Sequence, residues 1–91
     1  MNTIVLTTRF KKDFKRSRNR VMFPWDEFEE VLKCLKSGNR IPAKYKDHAL
    51  TGDLKGYREC HLLYDFILIY YPDPPAKEVY LARVGTHSEL F

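Results

Sequence analysis

The hydrophobic and polar positions of the chain change their period near its middle. Ile4-Val5-Leu6 is a short β-branched run ended by Thr7-Thr8, a pair suited to a helix N-cap, and predicts a first strand. From Thr8 to about Arg20 the sequence is polar and basic, with Phe10 and Phe14 at i and i+4 as its only core face. That pattern predicts a helix that is mostly exposed. A second helix is marked more strongly. Pro24 suits a first turn, and Asp26, Glu27, Glu29 and Glu30 sit where the helix dipole favours anions. Trp25, Phe28, Val31, Leu32 and Leu35 form one stripe at helical spacing, and Gly38 is a natural residue to follow the helix end.

The polar stretch from Asn39 to Asp47, with Pro42, predicts a connecting loop that carries His48 at its end. Beyond it the period becomes two. Tyr57 to Leu62 alternates, with Tyr57, Glu59 and His61 on one face and Cys60 and Leu62 on the other. Asp65 to Tyr71 is apolar on both faces, as a central strand is. Pro72-Asp73-Pro74-Pro75 predicts a turn, Glu78 to Val84 a last strand closed by Gly85, and Leu50 to Leu54 one further short strand. The expected fold is α+β: one N-terminal strand, two helices, then an antiparallel meander forming a small sheet with the helices on one face.

Composition narrows the class. At 91 residues the chain is expected to form one domain, and 44% hydrophobic residues exclude a disordered tail. The longest apolar run, Phe66 to Tyr71, is far shorter than a membrane helix, and the first residues lack the pattern of a signal peptide. A cytoplasmic location with no membrane partner is therefore expected. Charge is uneven. Arg9 to Arg20 holds seven basic residues against one acid, a local +6, while the rest of the chain sums to −2. Such a segment is either a solvated helix face or a phosphate-binding surface.

The candidate chemistry lies in the other half. His48, His61 and His87 are the three histidines, with Glu59, Asp65 and Arg83 as charged neighbours. Zinc binding by His48, Cys60, His61 and His87 is disfavoured by spacing. No two of them stand at the short separations usual in zinc sites, and Cys60 and His61, adjacent on a strand, face opposite ways. Cys60 and Cys34 read as packing residues rather than nucleophiles. The four glycines are scattered, so no phosphate loop is present.

The runs Tyr45-Lys46-Asp47-His48-Ala49-Leu50-Thr51-Gly52, Lys55-Gly56-Tyr57-Arg58-Glu59-Cys60-His61, Asp65-Phe66-Ile67-Leu68-Ile69-Tyr70 and Arg83-Val84-Gly85-Thr86-His87-Ser88-Glu89-Leu90-Phe91 resemble the YafQ branch of the RelE-like bacterial toxins, over nearly the whole chain. The resemblance implies a type II toxin that cuts mRNA on the ribosome without a metal or other cofactor. In that chemistry the RNA 2′-hydroxyl attacks the adjacent phosphate, leaving 2′,3′-cyclic phosphate and 5′-hydroxyl ends. By matching position it implies His48, His61, Asp65, Arg83 and His87 as the catalytic set. His87 would be the general acid and His48 or His61 the base, with Asp65 holding an imidazole or a base and Arg83 stabilising the phosphorane. Phe91 and Phe66 are expected beside the RNA, although Phe66 stands where relatives commonly have Trp and equally suits a strand core. Glu59 is open between catalysis, pairing with Arg58, and solvent.

The basic helix, through Lys11, Lys12, Lys15 and Arg16, is then expected to dock on ribosomal RNA. The resemblance also implies a cognate antitoxin of ribbon-helix-helix type, with operator DNA reached only through it. Two other classes compete. One is a RelE-shaped binding module with weakened catalysis, which acts through its antitoxin. The other is a general basic RNA-binding protein.

Overall fold

The passage from first strand to first helix rests on Thr7. Its Oγ1 accepts from the Phe10 backbone N–H at 3.1 Å and donates to the Leu81 carbonyl at 2.9 Å, so one hydroxyl caps the helix and ties it to the sheet. The computed structural model describes residues 1–91. In chain order the elements are β1 (Thr3–Leu6), α1 (Thr8–Ser17), α2 (Trp25–Ser37), β2 (His48–Ala49), β3 (Arg58–His61), β4 (Phe66–Asp73), β5 (Glu78–Thr86) and α3 (His87–Leu90). Single 3₁₀ turns occupy Ala43–Tyr45 and Gly52–Leu54. The five strands form one sheet in the order β1-β5-β4-β3-β2. β1 lies parallel to β5, and every other pairing is antiparallel. The expected α+β arrangement is therefore present, with the N-terminal strand added to the meander as a parallel edge.

Helices α1 and α2 cover one face of the sheet. Phe10, Phe28, Val31 and Leu35 from the helices meet Cys60, Leu68, Tyr70, Val79, Leu81 and Val84 from the strands. Phe10, Phe14, Phe23 and Phe28 stack and edge against one another at centroid separations of 5.5 to 6.4 Å. Cys60 is wholly buried, and burial, with the nearby Asp47 and Glu59 charges, pushes its thiol up to about 12. It is a packing residue, as its place in the alternation predicted. No helix is long and apolar enough to cross a membrane.

Several boundaries differ from the sequence expectation. α1 stops at Ser17 rather than Arg20, because the chain turns through Arg18–Met22 to bring Phe23 into the core. Tyr45, in the expected loop, is fully buried, and its hydroxyl donates to Glu30. Where a strand is expected over Leu50 to Leu54, Gly52–Leu54 forms a 3₁₀ turn, with Gly52 at φ +68°. The short strand is instead His48–Ala49. β4 continues through Pro72 to Asp73. Its β3 partner ends at the Arg58–Tyr70 pair, so the missing proline N–H faces a side with no ladder to complete. β5 runs through Gly85 to Thr86, where a Cβ on Gly85 would lie 3.1 Å from Glu89 Oε1 as α3 folds back.

β5 is paired with β1 only as far as Leu81. Beyond that point α1 lies along its open edge, and Asp13, 3% exposed, fills the gap. The Asp13 carboxylate accepts from the Val84 backbone N–H at 3.3 Å and from Arg83 at 2.6 and 3.2 Å. Replacing Asp13 with Ala strands a buried N–H and a largely covered guanidinium. We expect the variant to lose about 3 kcal/mol of stability, read as a lower urea midpoint with an unchanged slope.

Candidate active site

The strand register gathers the candidate residues on the sheet face opposite α1 and α2. His48 pairs with Glu59, Glu59 with Ile69, and Ile69 with Arg83, so one row crosses four strands. The next row holds His61, Ile67 and Gly85. With strands about 4.8 Å apart, the imidazoles stand on one side of a buried Ile67–Ile69 floor and Arg83 on the other. Arg83 reaches this face through a bulge. The register steps from Tyr70–Leu81 to Ile69–Arg83, which makes Ala82 the extra residue and turns Arg83 away from the Leu81 side.

His48, Glu59 and His61 form a compact cluster. His48 Nε2 lies 3.0 Å and His61 Nε2 3.7 Å from the same oxygen, Glu59 Oε2. The rings are near-parallel, with centroids 5.9 Å apart. Both imidazoles are about half exposed, whereas Glu59 is buried. His48 Nδ1 donates to the Lys46 carbonyl at 2.7 Å, a carbonyl turned toward the ring because Lys46 sits in the left-handed region at φ 51°. The loop is locked one residue later. Asp47 accepts from Arg58 Nη2 at 2.9 Å and Nε at 3.2 Å, and from the Tyr70 hydroxyl. Burial, with that hydrogen bond to Asp47, holds the Tyr70 phenol well above its ordinary value. The three ligating atoms of His48, Glu59 and His61 all lie within 4.8 Å of one another, close enough to share one ion. The spacing argument against a metal omitted Glu59 and could not foresee that β2–β3 pairing would oppose it to His48.

Arg83 offers Nε and Nη2 to Asp13, which leaves the Nη1 hydrogens without a protein acceptor. It lines a cleft of about 560 Å³ together with Arg9, Tyr57, Ile69, Leu90 and Phe91. Arg9 and Tyr57 are lining residues that the sequence reading did not single out.

α3 carries His87 and Phe91, whose rings lie 5.2 Å apart. The helix is pinned at both ends. The His87 backbone N–H donates to the Asp65 carbonyl at 3.1 Å, and the Thr86 N–H donates to Glu89 Oε1 at 2.9 Å. Arg16 Nε, at 3.2 Å, and Arg20 both pair with Glu89 Oε2. Burial raises the Glu89 carboxyl, but the Thr86 hydrogen bonds and the Arg16 and Arg20 charges outweigh it, and the net effect is a lowered value.

The expected site residues therefore separate. His48 and His61 come together, though around Glu59 and not Asp65. The Asp65 side chain is exposed and makes no hydrogen bond or ion pair; its carbonyl anchors α3. The carboxylate beside the imidazoles is Glu59, which side-chain alternation places on the face of His61. Phe66 is 4% exposed on the helix side, edge-on to Phe23 at 5.4 Å, so its ring cannot meet a base. Phe91, 56% exposed, can. Lys11, Lys12 and Lys15 are exposed, but Arg16 is engaged with Asp13 and Glu89.

A family model described as the bacterial toxin of type II toxin-antitoxin systems, YafQ, matches residues 2–91. The mRNA interferase toxin YafQ of Escherichia coli strain B / BL21-DE3 is 47% identical over 84 residues, covering 91% of this chain and 88% of that protein. A metal-bound toxin from Helicobacter pylori is similar in structure, with a TM-score of 0.88 and 38% identity over the full length of both chains. The toxin of an E. coli DinJ–YafQ complex matches with a TM-score of 0.79 and 34% identity, covering 100% of this chain and 99% of that one.

Because the folded Glu89 carboxyl is lowered, its anchoring of α3 is complete above the ordinary carboxylate range and is lost as pH falls through the folded value. We expect the Thr86 and Phe91 amide NMR signals to shift together as pH falls below the ordinary carboxylate range. Glu89→Gln should show the shifted positions already at neutral pH.

Proposed function

The chain belongs to the YafQ family of bacterial type II toxin–antitoxin toxins, and from that premise we propose that it is a ribosome-dependent endoribonuclease that cuts mRNA by intramolecular attack of the 2′-hydroxyl. One observation carries the reading: His48, Glu59 and His61 share a sheet face with Arg83 across an Ile67–Ile69 floor, and Phe91, whose ring stands beside His87, lines the Arg83 cleft.

The reaction needs a base for the 2′-hydroxyl, an acid for the leaving 5′-oxygen, and positive charge at the phosphorane between them. An imidazole of the His48–Glu59–His61 cluster takes the 2′-proton as the O2′–P bond forms, and the buried Glu59 carboxylate steadies the imidazolium. The unpaired Nη1 donors of Arg83, oriented by Asp13, face the phosphoryl oxygens. His87 gives its proton to the 5′-oxygen as the P–O bond breaks. Phe91, beside His87, offers a ring for an adjacent base, a contact worth about 1–3 kcal/mol. The nucleophile comes from the RNA, so the scheme calls on no activated Ser or Cys and no metal.

Exposed Lys11, Lys12 and Lys15 on α1 supply phosphate contacts to ribosomal RNA. Arg16 contributes differently, by holding Glu89 and through it α3. A cognate antitoxin is proposed as partner, on the model of the DinJ–YafQ complex, with a ribbon-helix-helix half that would carry operator binding. The cytoplasm, where translated mRNA is found, is the proposed location. Phe66, which stands where relatives commonly have Trp, is a core residue, so its identity bears on packing before catalysis.

Growth arrest and mapped cleavage, in the wild type and in variants, test the reading. Induction without the neighbouring gene should arrest growth, and primer extension should map cuts on translated messages but little cutting on naked RNA. His87→Ala should lower cleavage about 10²–10⁴-fold with the fold intact; unchanged cutting removes His87 as the acid. Lys11→Glu, Lys12→Glu and Lys15→Glu together should abolish arrest while urea stability stays near wild type. Arrest at full strength in that variant would exclude α1 as the docking face.

A further inference from the structure

We infer that His48, Glu59 and His61 form a binding site for a borderline divalent transition ion such as zinc, and that an ion bound there switches RNA cleavage off. The second half of this inference rests on the function proposed above; the first half does not.

The donor set is two imidazole nitrogens and one carboxylate oxygen, His48 Nε2, His61 Nε2 and Glu59 Oε2, mutually within 4.8 Å. Tetrahedral zinc with bonds near 2.0–2.1 Å needs donors about 3.3 Å apart. The observed 3.0 and 3.7 Å separations from Glu59 Oε2 bracket that value, and two half-exposed rings can adjust to it. Three features go beyond proximity. His48 is oriented as metal-bound histidines are: Nδ1–H is spent on the Lys46 carbonyl, and Nε2 is turned to the carboxylate. The Lys46 carbonyl is held in place by a left-handed residue and by the Asp47–Arg58–Tyr70 lock. Finally, Glu59 is 7% exposed, yet no backbone N–H, lysine, arginine or hydroxyl donates to it; its partners are the two imidazoles alone.

That last point defines the electrostatics. A buried carboxylate whose partners are two imidazoles, with no lysine or arginine paired to it, is a place where a cation is stabilised. That cation is either a proton or a metal ion. Nitrogen-rich donor sets favour zinc, copper or nickel over magnesium or calcium, so magnesium associated with ribosomes is a weak competitor. The three protein ligands leave an open position for water.

Proton and metal cannot occupy this place together. An ion on His48 and His61 takes the imidazole lone pairs that must accept the 2′-proton, and it takes the carboxylate that steadies the imidazolium. His87 and Arg83 lie across the floor and keep their roles, but the base is gone. Loaded protein should therefore cut more slowly by about the worth of the base, roughly 10²-fold.

The test begins with binding. Chelator-treated full-length protein is titrated with zinc by calorimetry, and with cobalt(II) by visible absorption. One ion per chain is expected, with tetrahedral-type cobalt bands that zinc abolishes. His48→Ala, Glu59→Gln and His61→Ala should each lose the bands, and His87→Ala should keep them. Absence of one-to-one binding, or binding that survives a His48→Ala and His61→Ala double change, overturns the site. Cleavage of translated mRNA is then compared for apo and zinc-loaded protein, with recovery by a zinc-selective chelator that spares magnesium. A loss of about 10²-fold, restored by the chelator, is expected. Equal or faster cutting by the loaded form overturns the inhibitory role. If neither form cuts RNA, the proposed function and the inhibitory role fall together, while the cobalt spectra still decide whether the site exists.

Discussion

β5 is the strand on which the candidate site hangs, and it is fully paired along only part of its length. β1 ends at Leu6 opposite Leu81, and past that point the strand edge would present unsatisfied backbone groups to α1. Asp13 meets this requirement from the helix. It accepts from the Val84 N–H, receives two hydrogen bonds from Arg83, and lies 3.4 Å from Arg16. The same carboxylate closes the sheet edge, fixes α1 against it and aims Arg83. Without it α1 would hold to the sheet only through its phenylalanines and the Thr7 cap. Because Arg16 also reaches Glu89, the position of α3 depends on the same corner.

This corner explains why the basic helix has two populations of charge. Arg16 and Arg20 are committed to Glu89, and Arg16 also to Asp13. Arg9, Lys11, Lys12, Lys15 and Arg18 remain exposed without an ion-pair partner. The concentration of positive charge read from composition is thus partly a device for anchoring α3. The remaining part is the surface available to phosphate. Surface pairs contribute little individually, but here two arginines converge on one carboxylate that also caps a helix, so the cluster acts as a unit.

What could be read from the sequence follows the range of the interaction involved. The Thr7 cap, the Phe28–Val31–Leu35 stripe, Gly38 and the Glu59–His61 alternation are local, and each was legible. The His48–Glu59 pair joins residues eleven apart through a two-residue strand, too short for any periodic signal, so nothing local pairs Glu59 with an imidazole. Arg83 is an intermediate case. Apolar Val79 and Leu81 keep a period of two, and the next apolar core residue is Val84; that break in spacing is the trace of the bulge at Ala82. Phe66, equally suited to a core or to the RNA by sequence, lies in the core: from β4 its ring joins four phenylalanines of α1, α2 and the turn between them.

The two halves of the candidate site are built to different tolerances, and the difference follows from their chemistry. Arg83 and α3 are held by ion pairs and caps that reach back to the helices, so the proposed acid, His87, and the proposed phosphate-binding group, Arg83, are fixed relative to the core. The imidazole cluster stands on the outer edge of the sheet, on β2 and β3, with both rings about half exposed and only their carboxylate buried. A base that must take up a proton and then release it to water gains from that exposure. A buried carboxylate between two half-exposed rings also holds whichever cation arrives there. The edge location that would let the proposed base turn over is therefore the same feature that would open it to a metal ion, whereas the buried Asp13–Arg83 corner is closed to one.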